Sequence, residues 1–92
     1  MVYTDASFSP NVRIMLISLN SRPYRDLVAE LVRLRESLEL TQRDLAKLLK
    51  RSQTYIAKVE KNQKYIELFE FVPYCHALKA DPAELFERFC LR

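Results

Sequence analysis

Two predicted helices separated by only three residues, Lys50–Ser52, constrain the fold of this chain more than any other feature. The first helix, Gln42–Leu49, carries its apolar side chains on one face. The second, Gln53–Lys61, turns Ile56 and Val59 toward the interior at helical spacing. The apolar face of the first helix contains one small residue and three leucines: Leu45, Ala46, Leu48 and Leu49. A connection this short holds the two helices in a tight bihelical unit.

Local signals mark where these helices begin. Thr41 is placed to cap the first helix, and Asp44 stands three residues later, at the reciprocal position of a capping box. Ser52 is placed to cap the second helix. The run Asp81-Pro82-Ala83-Glu84 gives a third start signal, with a cap, an early proline and a reciprocal glutamate. It predicts a C-terminal helix over Pro82–Leu91, rich in large apolar residues.

Two further helices complete a prediction of five helices and the all-α class. One starts near Ser21–Pro23 and ends before Leu40, with leucines at helical spacing. The other covers about Glu67–Ala80 and contains Pro73, whose missing N–H predicts a kink or a late start. Its expected inward residues are Leu68, Phe71, Val72, Cys75 and Leu78.

Length and composition narrow the class of protein. Ninety-two residues are enough for one domain and too few for two ordinary cores. The sequence contains no glycine, which argues against Gly-rich phosphate loops and glycine-dependent hairpins. The charge-free run Ile14–Asn20 is much shorter than the roughly 20 apolar residues of a membrane helix, and it lacks the layout of a secretory signal. We therefore expect a soluble, cytoplasmic protein.

The first twenty residues differ in pattern from the rest. Val12–Leu19 is a short apolar run with turn-forming residues on both sides, which favours a strand or an extended arm over a helix. A single strand has no partner within a helical domain. We expect residues 1–20 either to pair with their copy in a dimer or to pack as an arm.

Charge is distributed unevenly along the chain. The net charge is +3, but the segment Arg43–Lys64 has seven bases against two acids, a local charge of +5. The segment Glu67–Glu87 has five acids against one lysine, a local charge of −4. The basic side of such a polarised domain is the candidate surface for phosphate contact.

The stretch Leu31–Phe86 resembles the lambda-repressor-like helix-turn-helix family of phage and bacterial regulators. The resemblance covers about two-thirds of the chain and rests on these segments: Leu34-Arg35-Glu36, Leu40-Thr41-Gln42, Asp44-Leu45-Ala46, Ser52 through Glu60, Ala77-Leu78 and Asp81-Pro82. It implies five helices, with residues 21–92 as the DNA-binding domain and a helix-turn-helix at 42–60. It also implies double-stranded DNA as the partner and, commonly, a homodimer on a partly palindromic operator.

The resemblance implies roles for particular residues. Gln53, Thr54 and Lys58 match the base-reading positions, and their spacing places them on the outer face of the second helix. Arg35 and Glu60 match a structural ion pair that joins the helix starting near Ser21–Pro23 to the end of the helix Gln53–Lys61. We expect contacts to the DNA backbone from polar residues at helix starts and in the following loop: Gln42, Arg43, Arg51, Ser52, Tyr55, Asn62, Gln63 and Lys64.

The sequence departs from the family at positions that usually hold glycine. Lys50 follows the first helix of the bihelical unit, and we expect left-handed backbone there, with strain of about 1 kcal/mol. Asn62, which tolerates that conformation, replaces a glycine after Glu60, and Lys79 occupies another such position.

Among functions, sequence-specific DNA binding by a repressor-type dimer is the first hypothesis, with the dimer formed through the C-terminal helix, the N-terminal strand or both. The alternative is a protein-interaction module or antitoxin-like adaptor that keeps the fold, with its surface supplied by the run Val12–Leu19 and by Phe86, Phe89 and Leu91. We predict no enzyme, because the chain lacks a nucleophile, base or paired-carboxylate arrangement at useful spacing. We also expect no cofactor, no metal, no small-molecule ligand and no membrane partner, since Cys75 and Cys90 stand in apolar helical contexts and His76 has no ligand spacing.

Overall fold

A computed structural model describes residues 21–91, which form five helices and no strand. The helices are α1 (Arg22–Ser37), α2 (Gln42–Leu49), α3 (Gln53–Glu60), α4 (Leu68–Ala77) and α5 (Pro82–Cys90). The predicted all-α class and the number of helices are confirmed, and the predicted arm or strand over residues 1–20 lies outside the described residues. The described helices are all too short or too polar to cross a bilayer.

Side-chain caps set the start of three helices. At α2 the Thr41 hydroxyl accepts a hydrogen bond from the Asp44 N–H at 3.0 Å, and the Asp44 carboxylate accepts one from the Thr41 N–H at 2.9 Å. This is the complete capping box that the sequence predicts. Ser52 caps α3 by accepting from the Tyr55 N–H. Asp81 caps α5 by accepting from the Ala83 N–H, and the expected reciprocal bond from the Asp81 N–H to the Glu84 carboxylate does not form.

The core lies where α2, α3 and α4 meet the inner faces of α1 and α5. Leu45 of α2 and Ile56 and Val59 of α3 are completely buried, as predicted. Leu48 was expected to join them, but it is 57% exposed. The apolar stripe of α2 centres on Leu45, Ala46 and Leu49, and Leu48 lies more than a quarter-turn from that centre.

The inward face of α4 also differs from the prediction. Leu68 and Val72 are 74% and 45% exposed, whereas Tyr74 is buried with 1% of its surface exposed. Pro73 lies inside the helix, which begins at Leu68, one residue later than predicted. The buried stripe runs through Phe71, Tyr74, Cys75 and Leu78 at helical spacing. The sequence of α4 is compatible with two overlapping apolar stripes, and its packing against the other helices buries this one.

Four helices end in the left-handed conformation without a glycine. Glu39, Lys50, Asn62 and Lys79 have φ of 60°, 55°, 59° and 58°. In each case the next N–H bonds to the carbonyl five residues earlier, as Arg51 does to Ala46 at 2.9 Å, which is the Schellman pattern. The left-handed backbone predicted at Lys50 is confirmed, Asn62 and Lys79 adopt the same conformation at positions where the family usually has glycine, and Glu39 is a further such position. A β-carbon in this conformation costs about 1–2 kcal/mol.

Candidate nucleic-acid interface

The outer face of α3 carries the residues that the sequence assigns to base contacts. Gln53, Thr54 and Lys58 are all exposed. The opposite face is anchored, because Ile56 and Val59 are fully buried in the core. The polar face of α3 is therefore held in one orientation and offered to solvent at the surface.

An exposed lysine that the sequence analysis did not single out extends this face. Lys61 follows Thr54 and Lys58 at i+7 and i+3, so the three side chains lie along one stripe. Lys47, on α2, is a second exposed base within the segment of net charge +5. Helical spacing within the basic segment was the signal that could have identified Lys61.

A buried polar cluster connects this unit to α1. The Arg35 guanidinium makes a two-pronged ion pair with the Glu60 carboxylate, with N–O distances of 2.6 and 3.1 Å, and also donates to the Leu40 carbonyl at 2.7 Å. The two side chains are only 11% and 8% exposed, so the ion pair implied by the resemblance is present and largely buried. Hydrogen bonding to Glu60 raises the pKa of Arg35.

Gln42 belongs to the same cluster. Its side-chain amide donates one N–H to the Glu60 carboxylate at 2.8 Å. An amide nitrogen carries two N–H groups, and only one of them is used in this bond. Glu60 thus fixes the orientation of the amide, and the second N–H has no partner among residues 21–91. The geometry is compatible with the predicted phosphate contact by Gln42.

The structure corrects the assignment of Tyr55 to the DNA contacts. Tyr55 is 6% exposed, and its hydroxyl is buried. Burial also raises its pKa. The ring packs in the core beneath the Arg51 guanidinium, which lies 3.9 Å from the ring centroid. Tyr55 is a core residue because it lies on the same side of α3 as Ile56 and Val59, and this side faces the interior.

Arg51 has partners that the sequence did not reveal. Besides stacking on Tyr55, its guanidinium forms an ion pair with Glu70 of α4, and its side chain is 33% exposed. The Glu70 carboxylate neutralises the charge of Arg51 locally. The Arg51 guanidinium is therefore already paired with a carboxylate within the protein. The sequence analysis predicted a contact between Arg51 and the DNA backbone without this pairing.

The remaining residues that were predicted to contact the DNA backbone lie at the start of α2, at the start of α3 and in the loop after α3. Arg43, Ser52 and Gln63 are exposed, and Asn62 and Lys64 are half-buried. The loop is tied to α1, because the Tyr24 hydroxyl donates to the Lys64 carbonyl at 3.4 Å and accepts from the Ile66 N–H at 3.2 Å. The position of the Lys64 backbone is therefore set by α1 as well as by α3.

Within residues 21–91, no group of three or more His, Cys, Asp or Glu side chains is arranged to hold a metal ion. Both cysteines are free thiols. Burial raises the pKa of the Cys75 thiol to about 11, which makes it a poor nucleophile at neutral pH.

Two short helices joined by a tight turn, with the second presenting a polar face, form the helix-turn-helix of DNA-binding regulators. The family model for a helix-turn-helix domain matches residues 26–87. The structure is also similar to an XRE-family like protein from Pseudomonas syringae pv. tomato str. DC3000, with a TM-score of 0.74 and 25% identity over 88% of this chain and 94% of that chain. A comparison with curated proteins finds no significant match. The chain belongs to the helix-turn-helix domain family, of the lambda-repressor/Cro-like type.

Proposed function

We propose that this protein is a sequence-specific transcription regulator that binds double-stranded DNA as a repressor-type homodimer on a partly palindromic operator. One observation carries the proposal: α3 exposes Gln53, Thr54 and Lys58 on one face while its other face is fixed in the core. A recognition helix needs this combination, because base contacts require polar side chains held in a defined orientation.

In the proposed complex, α3 enters the major groove. Gln53 pairs with an adenine through its amide, and Thr54 and Lys58 contact neighbouring base edges. Gln42 donates its second N–H to a phosphate from the start of α2, where the helix dipole also favours an anion. Arg43, Ser52, Gln63 and Lys64 contact the backbone and fix the register, and Lys61 adds charge along the same stripe.

The dimer is proposed to form through α5, the N-terminal segment or both. Leu91, just after α5, is 65% exposed, and Phe86 on α5 is 45% exposed. Two copies related by a twofold axis would present their α3 helices to successive major grooves about one helical turn apart. Control of transcription then follows from occupancy of the site, with no catalytic step.

Selection of bound sequences from a random duplex pool tests the proposal. We expect a site with two related half-sites separated by about one turn of DNA. The matched variants Gln53→Ala and Lys61→Ala then divide the roles. Gln53→Ala should relax preference at one position by about 1–3 kcal/mol, whereas Lys61→Ala should weaken all sequences alike and flatten the salt dependence. Selection that enriches no sequence would contradict the proposal.

A second candidate function is supported by the apolar surface at the start of α4. Phe69 and Leu68 are 91% and 74% exposed, which is unusual for large apolar residues. A protein-interaction module or antitoxin-like adaptor would use such a surface to hold a partner. Salt-sensitive DNA binding without sequence preference, measured on random and selected duplexes at two salt concentrations, would favour this second function.

A further inference from the structure

An apolar groove of about 230 Å³ opens beside the first turns of α1. Tyr24 and Leu27 of α1, Leu68 and Phe71 of α4, and Phe86 of α5 contribute to its walls. Leu68 is 74% exposed and Phe86 is 45% exposed, so two large apolar side chains of the groove remain in contact with water. Exposed apolar surface around a groove is a candidate place for another segment to bind.

The groove is held open by specific contacts. The Tyr24 hydroxyl bridges the Lys64 carbonyl and the Ile66 N–H, and the Tyr65 ring packs edge-on against the Tyr24 ring at a centroid distance of 5.1 Å. These contacts fasten the loop before α4 to α1. A groove that is formed before its ligand arrives loses little conformational entropy on binding.

We propose that the apolar run Val12–Leu19 of the same chain docks in this groove. Leu19 is two residues from Ser21, which directly precedes α1, and α1 supplies Tyr24 and Leu27 to the groove wall. Two extended residues span at most about 7 Å, so the run begins within reach of the groove. Six of its eight residues are apolar, which gives it a strong tendency to leave water.

The size of the groove favours an extended segment over a second protein surface. A cavity of roughly 150 Å³ accommodates a benzene molecule, so a groove of about 230 Å³ holds one or two aliphatic side chains. A stable interface between two proteins buries about 800 Å² on each partner, which requires a broader and flatter contact. An extended run that inserts alternate large side chains into the groove matches its volume.

The negative charge beside the groove is complementary to the positive charge within Val12–Leu19. Glu67 precedes Leu68, Glu87 follows Phe86, and both glutamates are exposed without an ion-pair partner among residues 21–91. They belong to the segment of net charge −4. Arg13 is the one charged residue within Val12–Leu19 and has the complementary sign. Docking in this groove does not use the exposed face of α3, and it leaves Leu91, just after α5, for contact between copies.

The reactivity of Cys90 reports on docking, because Cys90 lines the groove whereas Cys75 is fully buried. In the full chain, Ile14→Asp/Leu16→Asp and Met15→Asp/Ile17→Asp disrupt the two faces of an extended run. We expect at least one pair of substitutions to accelerate maleimide labelling of Cys90 by about fivefold or more, because a run that no longer docks leaves this thiol accessible to the reagent. The control pair Thr4→Asp/Ser7→Asp should leave the rate unchanged. Equal rates in all variants, with Cys75 still unlabelled, would overturn the proposal.

A cross-link distinguishes docking within one chain from docking between copies. With Leu16→Cys in the full chain, oxidation at low protein concentration should join this residue to Cys90 and give a monomer that migrates faster on a non-reducing gel. The matched variant Leu16→Cys/Cys90→Ser should lose the shift. A disulfide-linked dimer in place of the shifted monomer would assign the groove to a second copy and overturn the proposal.

Discussion

The Arg35 guanidinium and the Glu60 carboxylate form a buried two-pronged ion pair that joins the last turn of α1 to the last residue of α3. Gln42 of α2 adds a hydrogen bond to the same carboxylate. Three helices thus meet at one charged group. The orientation of α3 depends on this junction as well as on the apolar core.

Removal of either charge from this pair should destabilise the protein strongly. Arg35→Met leaves the Glu60 carboxylate buried with Gln42 as its remaining side-chain donor, and Glu60→Leu leaves the Arg35 guanidinium buried without its carboxylate. Each change should lower the free energy of unfolding by about 3 kcal/mol or more, because a buried charge without a partner is costly. The double variant Arg35→Met/Glu60→Leu should recover much of the loss. Denaturant unfolding of the four proteins measures this cycle, and additive losses would argue against the interaction.

Release of Arg51 from Glu70 should strengthen DNA binding in general. Glu70→Gln removes the carboxylate that neutralises Arg51. If the freed guanidinium reaches a phosphate, affinity rises for every sequence and the slope of log K against log salt steepens by about one. Anisotropy titrations at several salt concentrations measure both quantities. Glu67→Gln is the matched control, because it removes the same charge from an exposed residue that holds no arginine among residues 21–91. Equal effects of the two variants would attribute the change to net charge alone.

Glycine at the left-handed helix ends should stabilise the protein. Lys79→Gly relieves the clash of a β-carbon at φ 58° and should raise the free energy of unfolding by about 1 kcal/mol. Asn62→Gly should gain less, because asparagine already tolerates this conformation. Lys47→Gly, within α2, is the opposite control and should lose about 1 kcal/mol. Thermal and denaturant unfolding distinguish these outcomes, and a loss of stability in Lys79→Gly would contradict the backbone assignment.

Stability should decline in acid through two carboxylates. Hydrogen bonds from Arg33 lower the pKa of Glu30 from its ordinary 4.5, and hydrogen bonds within the Thr41 capping box lower the pKa of Asp44 from its ordinary 3.8. A lowered folded-state pKa contributes stability above the unfolded-state value, and this contribution is lost as pH falls through the folded-state value. The contribution of these groups should be constant at neutral pH and should decrease below about pH 4. Unfolding curves from pH 7 to pH 2.5 should show a smaller decrease for Glu30→Gln/Asp44→Asn than for the unmodified chain.

The sequence by itself determined the features that depend on near neighbours. Thr41, Ser52 and Asp81 cap their helices through bonds to residues two or three positions away, so their roles are visible in the local sequence. The left-handed ends at Lys50 and Asn62 were instead implied by the family resemblance, because these positions usually hold glycine in the family. The buried pair of Arg35 and Glu60 came from the family resemblance, because no local pattern links residues 25 positions apart.

Only the tertiary structure decided which side chains of an amphipathic helix turn inward and which charges pair. A stripe of apolar residues is often wider than the surface that covers it, and packing excluded Leu48 and Val72 while it buried Tyr55 and Tyr74. The pairing of Arg51 with Glu70 depends in the same way on how α4 lies against the turn before α3. Partners in these contacts are set by the positions of whole helices relative to one another, which the energetics of a single segment do not specify.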